Sequence, residues 1–558
     1  MNLKRATRGL ILILGFLAPT GAPLMAAPGD VLRTLDAPCK YPAGMATDGT
    51  DLFILDWREA KIHHVTTKDG VLRQSWDAPT LKPHGLAFGN GLFFVSDDQT
   101  GRIYAFNPAE NMVEYTFEAP GSSPTGLAFA KDALYILESK SRQIYKVIPR
   151  DGTILGNFPV PERSCTCLAY DGKYLWTVDR TKDEFYMLDA ETGVVINIVD
   201  SPGAHPAGVA FLDNNLWNVD FQTRKIYQIK LHDEQQPYRL ARPRTERVEY
   251  FWTLYNYGPG EVRDLKVALA APQTLPSQEL LSEINYHNPP ERIAKDRWGQ
   301  SCALYTIAAL PAGQKQVVGF TVDARVSAIR YFILPDHCGT LDDIPQDIRK
   351  EYTADGERYR ITSPYIRKTV KKVVDDEENP YWIARKIFAF LIDNLEYEMV
   401  GGWDVPEVVI QRGKGSCSEY TLAFIALCRA AGLPARYEGS VVVRGDDASI
   451  DESFHRWAEI YLPGYGWVPV DANKGDAKSP ADQCRGFGDL DNRFLITTRD
   501  GGGSEYLDWG YNGYAVYKTL GYCNVHEENY GFWEPLEPNP APAESTSGQV
   551  QRGQCEAP

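Results

Sequence analysis

Positive charge is in short supply in this chain. Its 558 residues carry 58 Lys and Arg against 74 Asp and Glu, a formal charge of −16. So acidic a chain argues against nucleic acid or an anionic lipid surface as the main partner. Beyond the first 26 residues there is also no apolar run long enough to span a bilayer, so no integral membrane segment is expected in the mature chain. Glycine and proline, 47 and 37, fall short of a low-complexity bias, and 43% hydrophobic residues exclude a disordered chain. At about 150 residues per domain, the length predicts three or four domains, each able to bury a core.

What is present begins with a leader. Lys4, Arg5 and Arg8 precede an apolar stretch, Leu10 to Leu17, and Ala26 offers a small residue for cleavage, so residues 1–26 read as a signal peptide. The apolar stretch is shorter than the ~20 residues a spanning helix needs. No cysteine follows the cleavage position, which argues against a lipoprotein anchor. The expected location is secreted or periplasmic, where disulfides are permissible. The ten cysteines are Cys39, Cys165, Cys167, Cys302, Cys338, Cys417, Cys428, Cys484, Cys523 and Cys555. Their connectivity is open, with Cys302 and Cys338 one candidate pair.

A 41-residue repeat fills the first third. Pro42-Ala-Gly44, Pro83-His-Gly85, Pro124-Thr-Gly126, Cys165-Thr-Cys167 and Pro206-Ala-Gly208 keep that step. So do the acids Asp56, Asp97, Glu138, Asp179 and Asp220, and the pairs Ile62-His63, Ile103-Tyr104, Ile144-Tyr145, Phe185-Tyr186 and Ile226-Tyr227. Short strands with Gly/Pro punctuation at this period read as propeller blades. The fourth strand of the last repeat is missing, and an equivalent stretch at Gly29-Asp-Val-Leu32 precedes the first, so an N-terminal strand is expected to complete the last blade. Residues 27–233 are therefore read as a five-bladed β-propeller, in preference to a six-bladed one. It resembles the NHL/YWTD-like or lactonase-like propellers of exported proteins. The repeated acids suit either a metal in the central channel or the capping of turns. Capping is the preferred reading, because no His/Asp/Glu cluster is seen to break the pattern; no metal or cofactor is expected.

Residues 234–245 suit a linker, and extended segments from Glu246 onward suggest a β-sandwich-like domain over 240–340. Further on, Asn379-Pro380 starts a helix as N-cap and first helical residue. Gly413-Lys-Gly-Ser-Cys417 leads into an apolar helix ending at Gly432. A cysteine at a helix N-terminus is favoured as thiolate, and the flanking glycines leave room for a substrate backbone. Phe454-His455-Arg-Trp and Trp467-Val-Pro-Val-Asp471 read as two strands of a hairpin. His455 and Asp471 share a sheet face only if odd residues pair with odd, which requires an odd-length loop such as Leu462–Gly466. Asp471 can then orient His455, and His455 can deprotonate Cys417.

At these residues the chain resembles the transglutaminase-like superfamily, in particular its bacterial secreted members. The resemblance implies a papain-like α+β core over 365–530, with a Cys417–His455–Asp471 triad transferring acyl groups through a thioester. The acceptor would be water or an amine. Within it, the backbone N–H of Cys417, Gln411 (six residues upstream) and the indole of Trp403 are candidates for the oxyanion donor. Cys428 is expected to be a core thiol. Gly501-Gly-Gly is expected to be a flexible turn, and the aromatics Tyr506 to Tyr517 a packed cover. The Pro/Glu/Ser-rich residues 534–558 are expected to be a disordered tail. The sequence thus predicts a multidomain, mainly β plus α+β protein: an exported cysteine enzyme acting on protein or peptide amides, with a protein or glycan partner at the propeller. The alternatives are a catalytically lapsed binding or scaffold protein and a metal-dependent propeller enzyme.

Overall fold

The computed structural model describes residues 26–399, 403–445, 448–452 and 454–536. Nearly all of the expected signal peptide, and most of the expected tail, lie outside the described residues. The described part is mainly β. Among the described residues, no helix is long and apolar enough to cross a membrane.

The repeat folds as five separate four-stranded antiparallel sheets. In the first, strands Pro42–Thr47, Leu52–Asp56, Lys61–Val65 and Leu72–Asp77 pair in sequence order. The fifth has three strands of its own, Pro206–Leu212, Asn215–Asp220 and Lys225–Lys230, and takes its fourth from the N-terminal Val31–Asp36. The first strands of successive sheets touch in cyclic order, the fifth against the first. The repeated glycine follows from this contact. A Cβ on Gly44 would stand 2.9 Å from the Leu86 backbone N, one on Gly126 2.8 Å from the Thr166 carbonyl, and one on Gly208 2.9 Å from the Gly44 carbonyl carbon. Only a residue without a side chain lets these backbones approach so closely. The repeated acids are turn caps, as the sequence predicts: Asp56 accepts from the N–H groups of Tyr41, Arg58 and Glu59, and Asp179 from those of Ser164, Thr181 and Lys182.

The outermost strands distinguish the sheets. Leu72–Asp77 is exposed along nearly its whole length, whereas Val195–Asp200 of the fourth sheet is buried. That strand faces the second half of the chain. Asn197 exchanges two hydrogen bonds with the Ile333 backbone, Arg385 donates to the Val195 carbonyl at 3.0 Å, and Trp176 stacks on Phe332. Arg485 binds both carboxylate oxygens of Glu184 at 2.6 Å.

The middle segment is not a self-contained sandwich. Strand Tyr238–Ala270, 33 residues long, anchors a nine-stranded sheet that also takes strands from 449–451, 489–490 and 513–535. Gly513–Pro535 pairs along the long strand, from Leu269↔Gly513 to Glu246↔Pro535. The expected cover over 506–517 and the start of the expected tail are therefore in part a structural strand. Alternate apolar residues of both halves of the long strand, Val248 to Leu254 and Val262 to Leu269, share one core with Phe320, Val441, Leu495 and Trp533.

The cysteines also differ from expectation. All nine described cysteines are free thiols. Cys302 is buried beside Ala268, Ala270 and Leu507, while Cys338 lies in a different core with Ile344 and Tyr359, so the two are not paired. Burial pushes both thiols up, as it does Cys428 in its helix interior.

Candidate active site

Helix Cys417–Ala430 starts on the residue of interest. Ser416 is its N-cap, and its hydroxyl accepts from the Glu419 N–H while the Glu419 carboxylate accepts from the Ser416 N–H. This reciprocal pair fixes the first turn and leaves the Cys417 N–H among the groups with no intrahelical acceptor. Gly415 serves the packing: a Cβ there would crowd the Glu419 and Val409 side chains at 3.1 and 3.2 Å. The room it creates is filled from within the fold, not held open for substrate.

His455 begins strand His455–Leu462, the second in a sheet ordered Gly466–Val470, His455–Leu462, Ala435–Val442, Phe494–Asp500. The hairpin pairs Leu462 with Gly466 and Tyr461 with Trp467. Odd therefore pairs with odd, as the shared face requires, with three residues between the closing pair. Asp471 follows directly on the last paired residue, and its Oδ2 lies 2.6 Å from His455 Nε2. The Lys474 N–H holds the other carboxylate oxygen at 3.0 Å. The second ring nitrogen is not engaged by Asp471, and His455 and Cys417 each act on the other's titration.

The electrostatics follow from this chain of contacts. Burial opposes charge on Cys417, yet the hydrogen bond and charge of His455, the Arg456 N–H and the Arg456 guanidinium together bring the thiol below its ordinary range. Burial likewise opposes protonation of His455, but the charge and hydrogen bond of Asp471, with Cys417, raise it to about 10. Asp471 is held low against its own burial, mainly by the His455 charge. Both shifts run toward a thiolate–imidazolium pair backed by a carboxylate, the reactive form of a cysteine nucleophile. Alkylation of Cys417 by iodoacetamide should therefore stay fast below the usual thiol range and slow only as pH falls through the lowered thiol value. A rate that tracks an ordinary thiol would contradict the pair. Linkage gives a second expectation. A raised His455 stabilises the fold fully below 6.5 and loses this as pH rises through about 10, whereas a lowered Asp471 stabilises above 3.8 and loses this on acidification. The melting difference between wild type and Asp471→Asn should be largest between 3.8 and 6.5.

The two other candidates part company. Trp403 is half-buried, and its ring lies 4.8 Å from the Arg456 guanidinium carbon. Gln411 is exposed on the short helix Pro406–Arg412. Sequence reasoning misses Arg456 itself. Its side chain is wholly buried, caged by Trp403, Tyr437 and Tyr511, and donates to the Trp509 carbonyl at 2.7 Å. The available signal is its place next to His455: residues adjacent on a strand face opposite ways, so an arginine here must enter the core. Tyr511 reaches the site by crossing Gly439, where a Cβ would overlap the ring at 2.5–2.7 Å. Phe494 stacks on the imidazole at 5.5 Å. The expected flexible turn at 501–503 is packed instead: Gly501 and Gly502 lie under Trp298 and Trp509, and the Gly501 carbonyl accepts from Arg429 and Tyr359.

Residues 367–472, which contain Cys417, His455 and Asp471, match the transglutaminase-like superfamily, so the chain carries a transglutaminase-like domain there. A protein of Haemophilus influenzae (strain ATCC 51907 / DSM 11121 / KW20 / Rd), described as uncharacterized, is 33% identical over 159 residues, 23% of this chain and 42% of its own length. The chain thus matches less than half of that relative. Among solved structures, one described as a putative cysteine protease from Cytophaga hutchinsonii has a TM-score of 0.38 at 16% identity, covering 54% of this chain and 93% of its own. The Myxococcus xanthus glutaminyl cyclase has a TM-score of 0.33 at 13% identity, covering 36% of this chain and 95% of its own.

Proposed function

We propose that the protein is an exported, cysteine-dependent acyl-transfer enzyme acting on amide bonds of proteins or peptides, a thiol peptidase, amidase or transglutaminase. The observation that carries this reading is the Cys417–His455–Asp471 arrangement, with its lowered thiol and raised imidazole. The Cys417 thiolate attacks the amide carbonyl, and the Cys417 N–H at the helix start donates to the developing oxyanion. His455 gives its proton to the departing amine, leaving a thioester and a neutral imidazole. That imidazole then takes a proton from water or an acceptor amine as it attacks the thioester, and the acid or new amide leaves with the thiolate restored. A thiol-directed acyl probe should label the wild type and fail on Cys417→Ala; labelling that survives the substitution would sink the reading. Supplying an amine acceptor separates the outcomes, cross-linked product for transfer and cleaved product for hydrolysis.

In the same reading the five repeat sheets are the blades of a five-bladed propeller that binds substrate or a partner. Support comes from a cavity of about 340 Å³ lined by Trp57, His84, Asp98, Arg180, His205 and Phe221. Trp57, Asp98, Ser139, Arg180 and Phe221 occupy one register position of the repeat, directly after the capping acid. The framework is held constant and this position varies, which is what a binding surface on a repeat requires. Trp57 and Phe221 stay exposed there, at 40% and 37%. If the cavity gathers substrate, Trp57→Ala should raise KM by about tenfold and leave kcat unchanged. A change in kcat alone would argue against it.

A further inference from the structure

The first repeat sheet carries a thiol and an imidazole at two positions where none of its four sisters has either, and the two meet. The third strand carries Tyr104, Tyr145, Tyr186 and Tyr227 in the other sheets, but His63 in the first. The segment before the Pro-x-Gly element carries Thr80, Gly121, Glu162 and Gly203 at the matching position, but Cys39 in the first. Each change alone is a point difference between repeats. In space, however, Cys39 Sγ, a carboxylate oxygen of the capping acid Asp56 and a ring nitrogen of His63 all lie within 4.8 Å of one another. In the second sheet the matching side chain, Thr80, simply hydrogen-bonds its capping acid Asp97.

The histidine supplies an independent sign. His63 is 7% exposed, its Nδ1 is bonded to the Ser75 hydroxyl at 2.9 Å, and its Nε2 is buried without a hydrogen-bond partner. A buried ring nitrogen left bare costs free energy that the tyrosines of the sister sheets do not incur. With Nδ1–H donating to the Ser75 hydroxyl, Nε2 has a lone pair to offer. Asp56 keeps acceptor capacity beyond its three backbone N–H donors. Cys39 is half-buried.

We propose that Cys39, Asp56 and His63 form a divalent-cation site of zinc type. One sulfur, one imidazole and one carboxylate suit zinc, with water as fourth ligand. Ligand atoms around a tetrahedral zinc stand about 3.5 Å apart, so the three need only close slightly on the ion. Binding converts the Cys39 thiol to a zinc thiolate and releases one proton to solvent. The site ties two parts of the chain: Cys39 follows the N-terminal strand Val31–Asp36 that completes the fifth sheet, while Asp56 and His63 belong to the first. Zinc would pin the two sheets where the repeat array closes.

The test uses the full chain, zinc ions alone, and variants that put the sister residues back, Cys39→Thr and His63→Tyr. Because Cys417, His455 and Asp471 are also metal-capable, Cys417→Ala is measured in parallel. Wild type and Cys417→Ala should each retain one zinc per chain after dialysis and melt at a higher temperature with zinc than without. Both repeat-restoring variants should lose the bound zinc and the zinc-dependent shift. Cobalt in place of zinc should give thiolate-to-metal charge-transfer absorption in Cys417→Ala, a signal that needs no folded Cys39 variant to interpret. Zinc held undiminished by Cys39→Thr and His63→Tyr, zinc lost in Cys417→Ala, or no zinc on the wild type would each overturn the site.

Discussion

Asp471→Asn is expected to lower turnover by about 10³–10⁴-fold while the chain still folds. Asparagine preserves the shape of the side chain but removes the charge that raises His455, and its amide can hold the ring in the wrong tautomer. The imidazolium then loses its partner at 2.6 Å, and with it the thiolate loses the larger part of what offsets its burial. Cys417→Ala should remove turnover altogether. The informative measurement is the pair of pH profiles. In Asp471→Asn, half-maximal alkylation of Cys417 should move toward higher pH, because less of the thiol is ionised at a given pH. Arg456→Met should move it the same way through a different route, by removing the buried guanidinium that acts on Cys417 from inside its aromatic cage. A long apolar side chain can occupy that cage, so the fold should persist. Unchanged profiles in both variants would mean that the thiolate owes nothing to these groups.

The second large effect concerns the far end of the chain. Trp533→Ala should destabilise the protein by about 3–5 kcal/mol, the range for a large aromatic removed from a close-packed core. Trp533 is wholly buried, and its strand pairs with Val248 on one side and Ser449 on the other. Its core neighbours Val441 and Val443 belong to or adjoin the strand that pairs with His455–Leu462. The loss should appear as a lower midpoint in urea unfolding, together with weaker probe labelling at Cys417, though residue 533 is remote in sequence. A midpoint within error of wild type would show that the last strand is dispensable.

Which features are legible in the sequence follows from the range of the physics behind them. The repeat strands, the capping acids and the N-terminal closing strand can be read directly, because each turn needs the same few residues at the same offset. The triad is legible because a helix start and a hairpin are local objects, and parity alone places His455 and Asp471 on one face. The nine-stranded sheet is not legible: the partner of Tyr238–Ala270 lies at Gly513–Pro535, and alternation along a strand does not say which distant strand completes it. Gly501-Gly-Gly misleads because glycine marks either freedom or crowding, and here Trp298 and Trp509 sit where side chains would be. The Cys39–Asp56–His63 grouping escapes a column-by-column reading of the repeat, since each member looks like an isolated exception until the strands are side by side.

The pairing of Tyr238–Ala270 with Gly513–Pro535 also sets an order in time. Every residue of the triad lies between those two strands, so the nine-stranded sheet, whose core takes in Val441 from the strand paired with His455–Leu462, is completed only when Gly513–Pro535 has returned to its partner. Contacts so distant in sequence form late and slowly. A chain still being made, or one clipped before residue 513, would carry Cys417 without the strand that completes the core behind the sheet of His455.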